Sequence, residues 1–170
     1  MAADQQSKRG PAEPVIADDP VREQVARWFF DDYFPTWVGV GSCAIAQSPE
    51  FILDYWGVPL HYSTPGGSEW LLDAAGVVGL LDRIHARLRV QGYSYTAIPD
   101  RRVSVYHVDG AAIEVIWSRC RADNSEIERH AVHFEVSRGS EGWRVVGIQT
   151  APTTADSLAA AWRWVAGVTS

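Results

Sequence analysis

The spacing of hydrophobic residues divides the chain into a helical first half and a β-rich second half. From Pro20 to about Trp37 apolar side chains recur every three or four residues, which predicts an amphipathic helix. Asp19 directly before Pro20 is a typical helix start. Pro35 predicts a kink or the end of this helix, because proline lacks the backbone N–H that the helix needs.

Two further helices and one strand are predicted before the pattern changes. The segment SPEFILDYW begins with a serine and a proline and indicates a short second helix. The next segment, VPLHYS, has the character of a strand. From Leu71 to Val90 apolar residues return at helical spacing and predict a third helix, which Gly92 ends.

From Tyr93 onwards the hydrophobic period becomes that of β-structure. Asp109-Gly110 is a strong hairpin signal, and Pro99 predicts a bulge or a bend. The combination predicts an α+β protein, with the helices on one side of a curved antiparallel sheet. The four expected strands are Tyr93–Val108, Ala111–Arg121, Glu126–Ser137 and Trp143–Thr150.

Length and terminal composition indicate one domain with two short extensions. The 170 residues suit a single domain better than two. Residues 1–19 are polar and contain prolines, so we expect a disordered tail. The domain itself is predicted over residues 20–152, and residues 153–170 are a C-terminal extension in which SLAAAWRWVAG forms a short helix.

Composition argues against several classes of partner. The net charge is −6 and the basic residues are scattered, so nucleic-acid binding is not expected. Neither an apolar signal segment nor a stretch long enough to span a bilayer is present, which argues against a membrane protein. Cys43 and Cys120 lack the spacing of a zinc or redox site, and we expect a reducing, cytoplasmic protein.

Strand pairing predicts which side chains share the inner face of the sheet. Tight turns at Asp109-Gly110 and Asp123-Asn124 place one set of residues on that face, and a tight final turn adds Gln149. Its apolar end carries Tyr106, Ile113, Val115, Val132, Phe134 and Val136, and its polar end carries Arg102, Trp117, Arg119, Glu128, His130 and Gln149. An apolar floor with a few polar groups is typical of a small-molecule pocket. The opposite face mixes aliphatic and charged residues and suits a convex surface or a dimer contact.

His130 is the strongest candidate for acid–base chemistry, because imidazole titrates near physiological pH. The alternative is a buried histidine that only forms a hydrogen bond. Arg119 and Glu128, expected opposite each other, hold a substrate carboxylate or tune His130, or they form an ion pair of little energetic worth. No metal or other cofactor is expected, since no spacing resembles a metal site and His130 and His133 point to opposite faces.

Three segments carry a resemblance to a known family: FFDDYF, ILDYWGVPLHYS and EGWRVVGIQT. With them, residues 20–152 resemble the nuclear transport factor 2-like superfamily, and in particular its polyketide cyclase and ketosteroid isomerase branch. The resemblance implies a cone-shaped curved antiparallel sheet wrapped over three helices, with an internal pocket. It also implies a homodimer formed through the convex face of the sheet.

The resemblance also suggests roles for aromatic residues. Tyr33 and Tyr62 stand where this superfamily often supplies pocket hydroxyls, and a hydroxyl there stabilises an oxyanion. The alternative is that both are core aromatics. Trp37, Trp56, Trp70 and Trp117 are expected to form the wall of the pocket, the alternative being that at least two of them are plain core residues. Phe134, Tyr106, Gln149 and Arg119 are expected to contact the ligand.

The acids of characterised relatives are missing from this chain. Tyr62 stands near the position where ketosteroid isomerases place a catalytic aspartate, and Gln149 stands where polyketide cyclases place an acid. Two hypotheses follow. One is an isomerase, cyclase or dehydratase that acts on an apolar ring-containing metabolite through His130, Glu128 and the tyrosines. The other is a non-catalytic ligand-binding or dimerisation domain; a protein-interaction role for the convex face is compatible with both.

Overall fold

The first helical segment is continuous through its proline. The computed structural model describes residues 19–162, beginning with α1 (Pro20–Arg27), a π-helix (Trp28–Tyr33) and α2 (Phe34–Gly41). The Asp19 side chain caps the start by accepting from the Val21 N–H at 3.0 Å. The wider π-helix ends at Tyr33, two residues before Pro35, which lacks the N–H that a regular α-helix would use. The helix therefore runs past the predicted end.

The other described helices are a 3₁₀-helix (Pro49–Asp54), α3 (Ala74–Val90) and α4 (Leu158–Ala161). Helix α3 begins three residues later than predicted because the Asp73 side chain accepts from the Gly76 N–H at 2.8 Å and caps it there. It ends before Gly92, which has the left-handed φ of +78° that glycine tolerates.

The sheet has seven strands, more than the sequence pattern indicated. The hairpin partner of the first strand was missed, and the long predicted strand over residues 93–108 is two strands, separated at residues 98–100 around Pro99. The strands are β1 (Trp56–Thr64), β2 (Gly67–Leu71), β3 (Tyr93–Ala97), β4 (Arg101–His107), β5 (Gly110–Arg121), β6 (Glu126–Gly139) and β7 (Gly142–Pro152).

The strands form one curled sheet that wraps around the helices. Its order is β2-β1-β7-β6-β5-β3, and β4 also pairs with β5. Every pairing is antiparallel except that of β1 with β7. Side chains from the concave face, the first helical segment and α3 form the main core, which includes Phe29, Leu60, Leu81, Ile113 and Phe134. This is the α+β cone expected from the resemblance.

The central register is as predicted. Between β5 and β6, Ile113 pairs with Phe134, Val115 with Val132, Trp117 with His130, and Arg119 with Glu128. Because paired residues share a face, the polar end of the predicted inner face is assembled here.

The β4–β5 register differs from the prediction. Val103, not Tyr106, pairs with Ile113, since His107 pairs with Gly110 and an irregularity lies between Val105 and His107. Tyr106 therefore points to the outer face, and 67% of its surface is exposed.

The register of β7 against β6 also differs from the prediction. Val136 pairs with Val145 but Glu135 pairs with Gly147, so β7 contains one extra residue at that point. Beyond this bulge Ile148 and Thr150 point inward, and Gln149 is exposed.

Part of the convex face is covered by the chain's own C-terminal segment. Leu158 packs on Ile116 and Ala131 of β5 and β6. Its N–H donates to the Asp100 carboxylate at 2.8 Å, and Arg129 forms an ion pair with Asp156. Within the extension, Leu158–Ala161 form α4. The rest of that extension and the expected N-terminal tail fall on residues 163–170 and 1–18, outside the described residues.

Within residues 19–162, no helix is long and apolar enough to cross a membrane.

Candidate functional site

A cavity of about 70 Å³ lies between the concave face of the sheet and the helices. Its free volume exceeds the roughly 10–15 Å³ that one water molecule requires. It is well below the roughly 300–1,000 Å³ of pockets that take drug-sized ligands. A ligand of this cavity would therefore be small.

The floor of the cavity is aromatic. Tyr33 comes from the π-helix, Trp37 from α2, Trp117 from β5 and Phe134 from β6, and all four are buried. The Trp117 ring lies 5.3 Å from that of Trp37 and 5.4 Å from that of Phe134, centroid to centroid. These spacings fall in the range of favourable aromatic packing.

The Tyr33 hydroxyl is buried and has a proton left to donate. Its oxygen accepts from the Nε1–H of Trp56 at 3.1 Å. Burial raises the pKa of Tyr33 well above its usual value, and the Trp56 hydrogen bond and the Arg119 charge offset only part of that effect. The phenol therefore stays protonated at neutral pH. Among residues 19–162 its own proton has no acceptor.

Arg119 brings a positive charge into the aromatic floor. The residue is only 8% exposed, and its guanidinium carbon lies 5.1 Å from the ring centroid of Trp37 and 5.4 Å from that of Trp117. Its Nη1 donates to Glu128 at 2.5 Å. Its Nε is buried and has no hydrogen-bond partner within the described part of the chain.

Glu128 is held by two arginines. Arg87 of α3 donates to its two oxygens at 2.6 and 2.9 Å, in addition to the bond from Arg119. Burial alone would raise the pKa of Glu128, but the hydrogen bonds and charges of Arg87 and Arg119 lower it to about 2. The carboxylate is therefore ionised at neutral pH and cannot act as a general acid there.

His130 lies at the rim of the cavity, paired with Trp117 across the strands. Its Nδ1 is buried, has no partner among the described residues, and lies 3.8 Å from Oε1 of Glu128. Burial lowers the pKa of His130, the charges of Arg119 and Arg87 lower it further, and Glu128 opposes the shift. The ring is neutral at neutral pH and able to accept a proton.

Most of the predicted site residues are brought together in this cavity. Glu128 joins them through its ion pairs, whereas Tyr106 and Gln149 lie on the outer side and do not contribute, for the register reasons given above. Trp70 also lies on the outer side, where it pairs with His61 and is 62% exposed. The positions of the cavity residues are observed in the structure, and their chemical roles stay predictions. The predicted residues that line the cavity are Tyr33, Trp37, Trp56, Tyr62, Trp117, Arg119, His130 and Phe134.

Four lining residues were absent from the expected site. Ile84 and Arg87 come from α3, and on β7 Ile148 and Thr150 point inward in place of Gln149. Arg87 follows Ile84 by three residues and so flanks the apolar stripe of α3, a signal that was available in the sequence. The position of Thr150 depends on the bulge, which no local pattern revealed.

Within residues 19–162, no group of three or more histidine, cysteine, aspartate or glutamate side chains is placed to hold a metal ion.

Comparison with known proteins places the chain in a family. The family model described as NTF2-like protein (DUF6841) matches residues 22–153. No curated protein matches the sequence.

Solved structures share the fold at low sequence identity. An NTF2-like protein with a cystatin-like fold from Novosphingobium aromaticivorans is 23% identical over 83% of both chains, with a TM-score of 0.54. Nuclear transport factor 2 from Cryptosporidium parvum is 12% identical over 79% of this chain and 97% of its own, with a TM-score of 0.55. An Agrobacterium tumefaciens protein provisionally called an isomerase of the SnoaL-like family is 13% identical over 78% and 97%, with a TM-score of 0.50. At these identities the likeness concerns the fold alone.

Proposed function

The chain belongs to the NTF2-like family, and we propose that its cavity binds a small ring-containing compound and transfers a proton on it, as an isomerase, cyclase or dehydratase does. The observation that carries this proposal is His130, a neutral imidazole at the rim of an aromatic cavity that also holds two tyrosines. The NTF2-like fold occurs both in a SnoaL-like protein provisionally called an isomerase and in nuclear transport factor 2, so the fold alone does not choose.

In the proposed reaction His130 accepts a proton from a carbon next to a carbonyl group of the ligand. Negative charge then develops on the carbonyl oxygen. Tyr33 and Tyr62 would donate hydrogen bonds to that oxygen, and burial raises the pKa of both phenols, so that both carry their protons. His130 returns the proton to a second position. Glu128 would act through charge alone, since it is ionised and bound by two arginines.

The test compares two histidines on the same strand. His130→Gln removes the proposed base, and His133→Gln is its matched control on the outer face, where His133 Nδ1 lies 3.6 Å from Glu114. Deuterium incorporation next to the carbonyl of monocyclic ketones and enones is followed by NMR in D₂O. We expect His130→Gln to slow exchange by roughly 100-fold or more, the usual contribution of a general base, and His133→Gln to leave it unchanged.

Ligand affinity is measured on the same variants. His130→Gln is expected to retain affinity within about threefold, because the aromatic floor supplies most of the contact area. Exchange at the wild-type rate in His130→Gln would rule out His130 as the base.

A second candidate is a ligand-binding protein without catalysis. It is favoured by the lack of a carboxylic acid that could donate a proton: Glu128 is ionised, and Thr150 occupies the place on β7 where an acid was sought. This alternative predicts binding of ring compounds with no deuterium exchange in the wild-type protein.

We also propose a homodimer through the uncovered part of the convex face. A groove on that face is lined by residues of β1, β2, β6 and β7, among them Val58, His61, Trp70, Glu135 and Arg144. Trp70 is 62% exposed, which is high for a tryptophan and favours a contact there.

We propose a reducing, cytoplasmic location as well. Cys43 and Cys120 are free thiols, as expected in a reducing compartment.

A further inference from the structure

We infer that the ligand of this cavity is a monocyclic carboxylate, with its carboxylate on Arg119 and its ring against the tryptophans of the floor. The inference rests on the proposed function in one respect only, namely that the cavity is a ligand site. It adds the charge and the chemical class of the ligand.

The first argument is a surplus of buried donors. Trp117 Nε1 and Arg119 Nε are buried and have no hydrogen-bond partner within residues 19–162, and the Tyr33 hydroxyl has no acceptor there for its proton. All three residues line the same cavity. A buried donor without an acceptor is costly, and native structures rarely leave one so. The missing partner is therefore a group that accepts several hydrogen bonds, as a carboxylate does.

The second argument is charge. Arg87 and Arg119 both bind the single carboxylate of Glu128, so the three groups together carry one net positive charge. His130 adds none at neutral pH, because burial and the two arginines lower its pKa. Within residues 19–162, the side chains that line the cavity include no aspartate or glutamate. A singly charged anion would neutralise the site, and a buried charge is stable only when it is compensated.

The third argument separates a ring carboxylate from an inorganic anion. Arg119 lies against the indole rings of Trp37 and Trp117, so the space beside its guanidinium is walled by apolar surface. A tetrahedral dianion such as sulfate would bring two negative charges to a site with one net positive charge, and it has no apolar surface to place against the indole rings. A planar carboxylate matches the guanidinium fork, and its ring would bury apolar surface against Trp117 and Phe134.

The experiment measures binding of three probes to the full-length protein by isothermal titration calorimetry. Benzoate carries the proposed charge, benzyl alcohol is its neutral counterpart, and sulfate is an anion without a ring. We expect wild-type protein to bind benzoate at least about tenfold more tightly than benzyl alcohol, and sulfate at concentrations equal to benzoate not to displace it.

Two variants locate the interaction. Arg119→Gln is expected to weaken benzoate binding by at least about tenfold and to leave benzyl alcohol binding nearly unchanged. Arg102→Gln is the control, since Arg102 pairs with Glu114 on the outer face. Should Arg119→Gln not fold, Trp117→Phe removes one of the unpaired donors and keeps an aromatic ring. We expect a loss of a few-fold for benzoate alone.

The outcomes separate this inference from the proposed function. Equal affinity for benzoate and benzyl alcohol, or displacement of benzoate by equimolar sulfate, would overturn the carboxylate and leave the ligand site standing. Unchanged benzoate affinity in Arg119→Gln or Trp117→Phe would overturn the assigned contact. If folded wild-type protein bound neither ring compound, the proposed function would fall as well. A His130→Gln variant that binds benzoate as wild type does, but no longer exchanges deuterium into the ketones and enones, would support both.

Discussion

His85 is a buried histidine that the proposed function does not use. It lies on α3 behind the cavity floor, with its ring 4.5 Å from that of Trp37. Its Nε2 is buried without a partner among the described residues. Burial lowers the pKa of His85 to about 4, and the charges of Arg89 and Arg119 add to that shift. Protonation of His85 in acid therefore disfavours the folded state.

We predict that His85 makes the protein sensitive to mild acid. In the unfolded chain its pKa is 6.5, so as the pH falls from 6.5 toward 4 only the unfolded state takes up the proton. Stability is complete above pH 6.5 and is lost through that window, by about 2 kcal/mol between pH 7 and pH 5 from this residue. His85→Leu should remove this part of the loss, as measured by urea unfolding at both pH values.

His107→Leu is the control for that measurement, because His107 is exposed. Its loss of stability with pH should follow that of the wild-type protein. A His85→Leu variant that loses as much stability as wild type would show that another group causes the acid sensitivity.

At the scale of elements, α3 connects local capping to the cavity. The helix carries Ile84 and Arg87 into the site, and its start is set by the Asp73 side chain, which bonds the Gly76 N–H. Arg87 lies in the last turn of the same helix and forms its ion pair with Glu128 from there.

We predict that Asp73→Ala lowers the free energy of unfolding by about 1 kcal/mol, the usual worth of an N-cap side chain. For a chain of this size the melting temperature should fall by roughly 2–4 °C. Asp82→Ala is the matched control, because Asp82 is an exposed residue within the same helix. Differential scanning calorimetry of both variants decides the matter: an equal effect of the two substitutions would argue against the cap.

For the whole molecule, the convex face is divided between two uses. Leu158 and the C-terminal segment cover Ile116 and Ala131, which removes that end of the sheet from any contact with a partner. The groove around Val58 and Trp70 stays open. A dimer formed through the convex face would therefore use the β1–β2 end.

We predict that Trp70→Asp converts a dimer into a monomer, because it places a charge at the centre of the proposed contact. Molar mass from light scattering at several concentrations is the measurement. Val108→Asp serves as the control, since Val108 is also exposed but lies in the β4–β5 turn. A wild-type mass equal to one chain would refute the dimer, and a dimer that survives Trp70→Asp would place the interface elsewhere.

Local sequence signals were sufficient where neighbouring residues decide the structure. The helix start at Asp19, the change of period at Tyr93 and the β5–β6 register all follow from contacts close in sequence or from one tight turn. The inward positions of His130, Arg119 and Trp117 depended on that register alone, and they were predicted correctly.

The tertiary structure decided the rest, for reasons that lie outside any local pattern. Tyr106 and Gln149 lie on the outer side because β4 and β7 contain irregularities, and an irregularity reverses every side chain beyond it. Arg87 meets Glu128 only because α3 packs across the open end of the cone. The sequence by itself determined the α+β fold and the residue types of the site. The charge balance of the cavity was decided in three dimensions, because it depends on groups from distant segments sharing one low-dielectric space.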